Sequence, residues 1–240
     1  MEQLVEKLIL WIRESVLVGG CRGVVLGMSG GIDSSLTAVL CKRAFPESTL
    51  GIIMPCYSSP GDEKHALVMA RQFSIPTKKV VLDGIFDAFL KLLPGEGIDT
   101  AANRMAKANL KVRLRMVTLY YFANQLKYMV VGSSNRSEVT VGYFTKYGDG
   151  GVDIMPLGNL VKKQVRELAT FLDIPKKIID KPPTAGLWPG QTDEGEFGFT
   201  YQELDRYIVT GKASHTIKTK VDAMAAASHH KRALPLVPDF

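Results

Sequence analysis

Four apolar, β-branched runs separated by helical periodicity constrain this chain more than any other feature. They are "GVVLGMS" (23–29), "TLGIIMP" (49–55), "KKVVLD" (78–83) and "YMVVGSS" (128–134). Each is continuous rather than alternating, the pattern of a strand covered on both faces. Helices are predicted between them at 33–44, about 61–73 and 84–93, and then over the long stretch "TAANRMAKANLKVRLRMVTLYYFANQL" (100–126). Strand–helix alternation builds βαβ units, whose right-handed crossovers make the sheet parallel. The expected fold is therefore α/β, a doubly wound parallel sheet with helices on both faces. Such a sheet binds its ligands beyond the carboxyl ends of its strands, where "GMSGGIDSS" (27–35) and "GSSNRSE" (132–138) begin.

Beyond residue 138 the character changes. "VTVGYFTKYGDGGVDIMPLGNL" is rich in glycine and polar residues, and "KPPTAGLWPGQTDEGEFGF" carries three prolines and four glycines. Long ordered loops of this kind are usually functional. A helix is predicted at 161–172, halted by Pro175, and two more near 200–209 and 214–228. No repeat or flexible linker divides the 240 residues, so one domain spanning 1–240 is expected. No apolar stretch is long enough to cross a bilayer. The N-terminal segment carries Glu2, Glu6, Lys7, Arg13 and Glu14 among its apolar residues, which suits a surface helix and not a signal peptide. A cytoplasmic protein without membrane attachment is expected. Cys21, Cys41 and Cys56 lack metal-ligand spacing and fit free thiols in a reducing compartment. The net charge of +6 is scattered and has no nucleic-acid module beside it, so it points to a small anionic ligand and not to nucleic acid.

"SGGIDSS" is built for phosphate. Gly30 and Gly31 let backbone amides approach an anion, a helix begins there, and Ser29, Ser34 and Ser35 add hydroxyl donors. No lysine follows Gly31, which sets the stretch apart from the lysine-bearing phosphate loop, and the dinucleotide fingerprint is also absent. Asp33 beside a phosphate is repulsive unless Mg2+ bridges the two. Asp33 also suits the first turn of a helix and Ser29 its cap, roles compatible with phosphate binding.

That loop resembles the pyrophosphate loop of the ATP pyrophosphatase superfamily, whose members adenylate a carboxyl or related group. "NLKVRLRM" (109–116), "GSSNRSE" (132–138), "GYFTKYGDGGVDIMPLGNLVKKQVREL" (142–168), "KPPTAGLWPGQTDE" (181–194) and "HKR" (230–232) then make the chain similar to the NAD synthetase family. The resemblance implies a Rossmann-like fold of the adenine nucleotide alpha hydrolase type, with ATP as co-substrate and Mg2+ as cofactor. It further implies a homodimer whose interface holds the dinucleotide. About twenty residues precede the first strand, leaving no room for an N-terminal amidase domain. The ammonia-using form is therefore implied, alone or supplied by a separate amidase.

By the same resemblance, Gly27, Met28, Ser29, Gly30, Gly31, Ile32, Asp33 and Ser34 form the ATP loop, and Ser133, Lys162 and Thr184 are further ATP contacts. Ser133 stands where threonine is common, and retains the hydroxyl. Glu138 matches the second metal carboxylate beside Asp33, although alone it would pass for a helix-start acid. Arg113, Lys146, Asp153, His230 and Lys231 match positions that bind deamido-NAD, whereas Lys111 and Arg115 look like a solvated helix face. "HHKR" would equally suit a frayed basic tail. Two roles are open to Asp153: accepting a proton from ammonium, or binding the substrate.

The implied reaction is ATP-dependent amidation of deamido-NAD by ammonia through an adenylate, releasing AMP and pyrophosphate. The alternatives are another amide synthetase of the superfamily and a non-catalytic ATP sensor, which would have no use for both carboxylates and two long loops.

Overall fold

The computed structural model describes residues 1–94, 101–188 and 190–239. Thr100, at the head of the long predicted helix, and Pro189, in the second long loop, lie outside the described residues. The elements run α1 (Glu2–Val18), β1 (Val24–Gly27), α2 (Ile32–Ala44), β2 (Thr49–Ile53), α3 (Pro60–Gln72), β3 (Thr77–Lys79), α4 (Asp83–Leu92), α5 (Ala101–Leu126), β4 (Met129–Val130), α6 (Arg136–Val141), α7 (Lys162–Phe171), α8 (Lys176–Ile179), α9 (Asp193–Phe197), α10 (Tyr201–Thr210) and α11 (His215–Ala227).

The strands form one parallel sheet in the order β3-β2-β1-β4. Val24 pairs with Thr49 on one side and Met129 on the other, and a parallel bridge from Val131 to Ile154 extends the sheet beyond β4. Successive strand residues point to opposite faces, which accounts for the unbroken apolar run of β1. Val24 and Leu26 pack with α1, α2 and α7, while Val25 packs with α4 and α5. Helices thus cover both faces, and the doubly wound expectation holds. A third, smaller cluster joins Val141, Phe197, Phe199, Tyr201, Leu204, Ile217 and Val221 beside the sheet.

The third predicted strand differs. It was expected at 78–83 and covered on both faces, but β3 occupies Thr77–Lys79 with Lys78 and Lys79 exposed. It is the sheet edge, where lysines discourage pairing with another chain, and the apolar residues after it turn toward α4 through buried Leu82. Short α6, α8 and α9 lack enough turns to leave a periodic signature. Among the described residues no helix is long and apolar enough to cross a membrane.

Strand order fixes the position of the site. The chain leaves β1 for β2 and β3 on one side, then returns to β4 on the other. Crevices form at such a reversal, beyond the carboxyl ends of the two diverging strands. Here those ends are Gly27, followed by "MSGG", and Val130, followed by "VGSS".

Candidate active site

At the end of β1 the backbone turns through Gly30, whose φ is +79°, and α2 starts with Gly31 as its N-cap and no side-chain cap bond. The predicted cap, Ser29, instead contacts the Ser34 hydroxyl at 3.0 Å and accepts from the Gly31 N–H at 3.4 Å. The first amides of α2 are left without a capping side chain, an arrangement suited to an anion. A Cβ on Gly30 would sit 2.2 Å from the carbonyl oxygen of Asp62, whereas one on Gly31 would meet nothing nearer than 3.5 Å. Gly30→Ala is therefore expected to destabilise the fold by about 1–3 kcal/mol, while Gly31→Ala keeps its melting temperature and only crowds the anion position. Equal melting temperatures for the two variants would refute this account of the turn.

Opposite the loop, α6 opens with a capping box. Glu138 N–H donates to the Asn135 side chain at 3.1 Å and Asn135 N–H donates to Glu138 Oε2 at 3.2 Å. The helix-start role read from sequence is thus real, and it uses one carboxylate oxygen. The other accepts from Lys162 Nζ at 3.2 Å, and the same ammonium donates to Asp33 Oδ2 at 2.5 Å. Asn135 Nδ2 completes the link by donating to Asp33 Oδ1 at 2.9 Å. Desolvation lifts Glu138 to about 7 against the opposing pull of Lys162, with the Asp33 charge adding to the rise. The two carboxylates predicted from separate motifs are therefore joined through one buried lysine, whose side chain is 3% exposed.

Two adjoining cavities meet here. One of about 600 Å³ is lined by Gly27, Met28, Ser29, Ser34, Ser133, Thr184 and Lys231, and a smaller one of about 130 Å³ by Gly31, Ile32, Asp33, Glu138, Lys162 and Thr184. The residues implied for ATP thus line one cleft, apart from Gly30, which is buried beneath Asp62. The loop of 181–188 roofs it: Lys181 pairs with Asp62, Lys111 Nζ donates to Leu187 O at 3.4 Å, and Arg104 lies 5.4 Å from the Trp188 ring.

Residues implied for the dinucleotide divide. Lys231 lines the larger cavity, its ammonium donating to the carbonyls of Gly142 and Phe144 at 2.8 and 2.9 Å. Arg113, Lys146, Asp153 and His230 line neither cavity. Arg113 is exposed and donates to Lys146 O at 3.2 Å, and His230 is exposed in a single 3-10 turn. The Asp153 carboxylate accepts from Tyr120 OH and Val130 N–H, both at 2.8 Å, and so fastens the last sheet segment to β4 and α5.

Several residues were misjudged or missed. Arg115 does not lie on a solvated face: it donates to Met54 O at 3.0 Å and Ser58 Oγ at 3.1 Å and lines the larger cavity. Lys111 also faces inward, 5.6 Å from the Tyr57 ring and 5.5 Å from the Phe86 ring. Asp149 lines both cavities and accepts from Thr145 N–H at 2.7 Å, and its carboxyl is raised above the ordinary range chiefly by desolvation. Asp193 is buried, accepts from Tyr201 OH at 2.9 Å, and its Oδ1 has no hydrogen-bond partner. In sequence it stood within the second long loop and the stretch 181–194, with nothing to single it out from its neighbours.

A parallel sheet with a glycine-serine loop at its reversal and paired carboxylates across the crevice defines a nucleotide-binding α/β protein of the adenine nucleotide alpha hydrolase type. Comparison with known proteins sharpens this: residues 4–235 match the NAD synthase family, and the chain belongs to it. It is 48% identical to an NH(3)-dependent NAD(+) synthetase of Carboxydothermus hydrogenoformans over 99% of this chain and 97% of that one. It superposes on an NMN synthetase of Francisella tularensis with a TM-score of 0.93 and 38% identity, covering 100% of this chain and 98% of the other. An NH3-dependent NAD synthetase of Campylobacter jejuni gives a TM-score of 0.82 at 27% identity, with 99% of each chain covered.

Proposed function

We infer that this chain amidates deamido-NAD to NAD with ammonia, at the expense of ATP cleaved to AMP and pyrophosphate. The observation that carries the mechanism is the Asp33–Lys162–Glu138 cluster facing the uncapped start of α2. A carboxylate resists ammonia because its leaving group would be oxide. Joining the nicotinate carboxylate to the α-phosphorus of ATP, with loss of pyrophosphate, converts that oxygen into part of AMP, which ammonia can displace.

The donor set fits Mg2+. Asp33 and Glu138 offer oxygen ligands held in register by Asn135 and Lys162, and Mg2+ is commonly bound by one or two carboxylates plus phosphate oxygens. Bound there, it would neutralise charge on the triphosphate. The α2 amides and the Ser29 and Ser34 hydroxyls hold phosphate oxygens, Arg115 and Lys231 favour anionic substrate in the larger cavity, and the 181–188 roof excludes water from the adenylate.

Asp149 takes the proton from ammonium in this scheme, in place of Asp153. Its carboxyl opens on both cavities and is already raised, whereas Asp153 is committed to Tyr120 and Val130 outside them. ATP, Mg2+, ammonium and deamido-NAD should yield NAD, AMP and pyrophosphate, and ADP with phosphate would reject adenylation. Glutamine should serve poorly unless a separate amidase supplies ammonia. The Francisella neighbour favours a second reading, in which the deamido mononucleotide is the acid amidated. Rates with the two acids at equal concentration separate these readings. We place the reaction in the cytoplasm.

A homodimer accounts for the outer residues. Arg113, Lys146, Asp153 and His230 line neither of the two cavities, and α5 beside them exposes Val117 (59%) and Tyr121 (63%). The neighbouring α4 exposes Ile85 and Phe89. A second copy packed on this face would cover the apolar surface and finish the dinucleotide site. The N-terminal helix adds little to this surface through Leu4, Leu8, Trp11 and Ile12, since Ile12 is buried, Leu4 and Leu8 are half-buried, and Trp11 alone of these is exposed. Dilution should lower activity and dimer content together, with deamido-NAD opposing both. A fully active monomer by light scattering would refute the shared site.

A further inference from the structure

In the small cavity Lys162 is already held between two carboxylates. Its ammonium lies 2.5 Å from Asp33 and 3.2 Å from Glu138, buried against the Tyr201 ring at 5.0 Å, so two carboxylates already answer its one charge. Lys181 also lines this cavity with Gly31 and Asp33. It stands at the mouth, its side chain a quarter exposed, and its single ion-pair partner among the described residues is Asp62. Asp62 lies directly over the phosphate loop, since its carbonyl fills the space above Gly30. The positive field here is also felt by His65, held below its ordinary range by burial first and then by Lys181 and Lys177.

We propose that Lys181 is a further lysine that holds the pyrophosphate end of ATP, with Asp62 as the partner it gives up when polyphosphate competes for its ammonium. The proposal rests on the phosphate-loop reading and adds a residue to it. A partly exposed Lys–Asp pair contributes little net stability, while an ammonium on a phosphate oxygen inside a cleft makes a charge-assisted bond of the stronger kind. Exchange of partner therefore runs toward the phosphate. It also ties binding to the roof, because Lys181 begins the 181–188 loop and Asp62 belongs to α3.

The two partners should respond in opposite directions. Titration of inorganic pyrophosphate at fixed Mg2+, followed by calorimetry, is expected to show Lys181→Met binding about 10-fold or more weakly. Lys181→Arg retains most of the affinity. Asp62→Asn, which frees the lysine, binds about 3-fold more tightly. A merely structural tie would make Lys181→Met and Asp62→Asn weaken binding alike and lower the melting temperature alike, and that result overturns the proposal, as does unchanged binding by Lys181→Met. Failure of the wild-type chain to bind Mg2+ and pyrophosphate, or binding indifferent to Asp33→Asn, would instead remove the phosphate-loop reading beneath it.

Discussion

Lys162→Met is expected to cost the fold about 3 kcal/mol at pH 8, and much less near pH 5. Removing one partner from a buried ion pair typically costs about 3–5 kcal/mol, because the charge left behind has neither water nor a counterion. Here two carboxylates are left behind, side by side, with side chains 18% and 14% exposed. The pH dependence follows from linkage. Burial pushes the Glu138 carboxyl up to about 7 in the fold from an ordinary value of 4.5, so between these values the native chain binds more protons than the unfolded one. Stability contributed by that group is complete below the unfolded value and is lost as pH rises through the folded one. Without the lysine the folded value climbs further, and the deficit of the variant widens with pH. Melting curves from pH 5 to 8.5 measure it: a shift of roughly 6–12 °C at pH 8 for a chain of this size, shrinking toward acid. A deficit independent of pH would mean that Lys162 is only a packing element.

How much of this was legible beforehand depends on the range of the interaction. Local signals carried β1, β2 and β4, the longer helices and the loop between β1 and α2, because apolar period, glycine pairs and hydroxyls act within a few residues. Asp33 and Glu138 are 105 residues apart in sequence, yet they sit just past the ends of the neighbouring strands β1 and β4, so the topology rule of parallel sheets brought them together. Arg113 and Arg115 show where such rules stop. Two positions apart on α5, they are turned by about 200°, so one lies exposed beside Lys146 while the other reaches Met54 O. Nothing in "KVRLR" says which face the β2 end will meet. Lys181 and Asp62 are separated by 119 residues and meet only because the roof loop crosses α3. Asp149 went unmarked for another reason. It and Asp153 lie in one glycine-rich loop, and only the bridge from Val131 to Ile154 decides that Asp153 is used by the sheet and Asp149 by the cavity.

Asp33→Asn and Glu138→Gln should each lower turnover on the order of 100-fold or more, the scale of losing one preorganised electrostatic group from a transition state. Both substitutions keep shape and one acceptor oxygen while removing charge, at the cost of an N–H donor in place of the oxygen that faces Lys162, and the structure separates what each amide can replace. Gln at 138 can still accept the Asn135 N–H, so the capping box survives. Asn at 33 can still accept from Asn135 Nδ2. In either variant Lys162 keeps one carboxylate, so its charge stays paired. Glu138→Gln should therefore melt no lower than the wild type at pH 8, since it removes a carboxylate whose ionised form burial already disfavours. The loss falls on the step that needs the triphosphate charge neutralised. AMP formation from ATP and deamido-NAD should fall with NAD formation, and excess ammonium should restore neither. If ammonium did restore turnover, the carboxylates would be serving the second half-reaction, and the adenylation role argued for them would be wrong. If turnover persisted while the melting temperature dropped, both acids would be structural partners of Lys162 and nothing more.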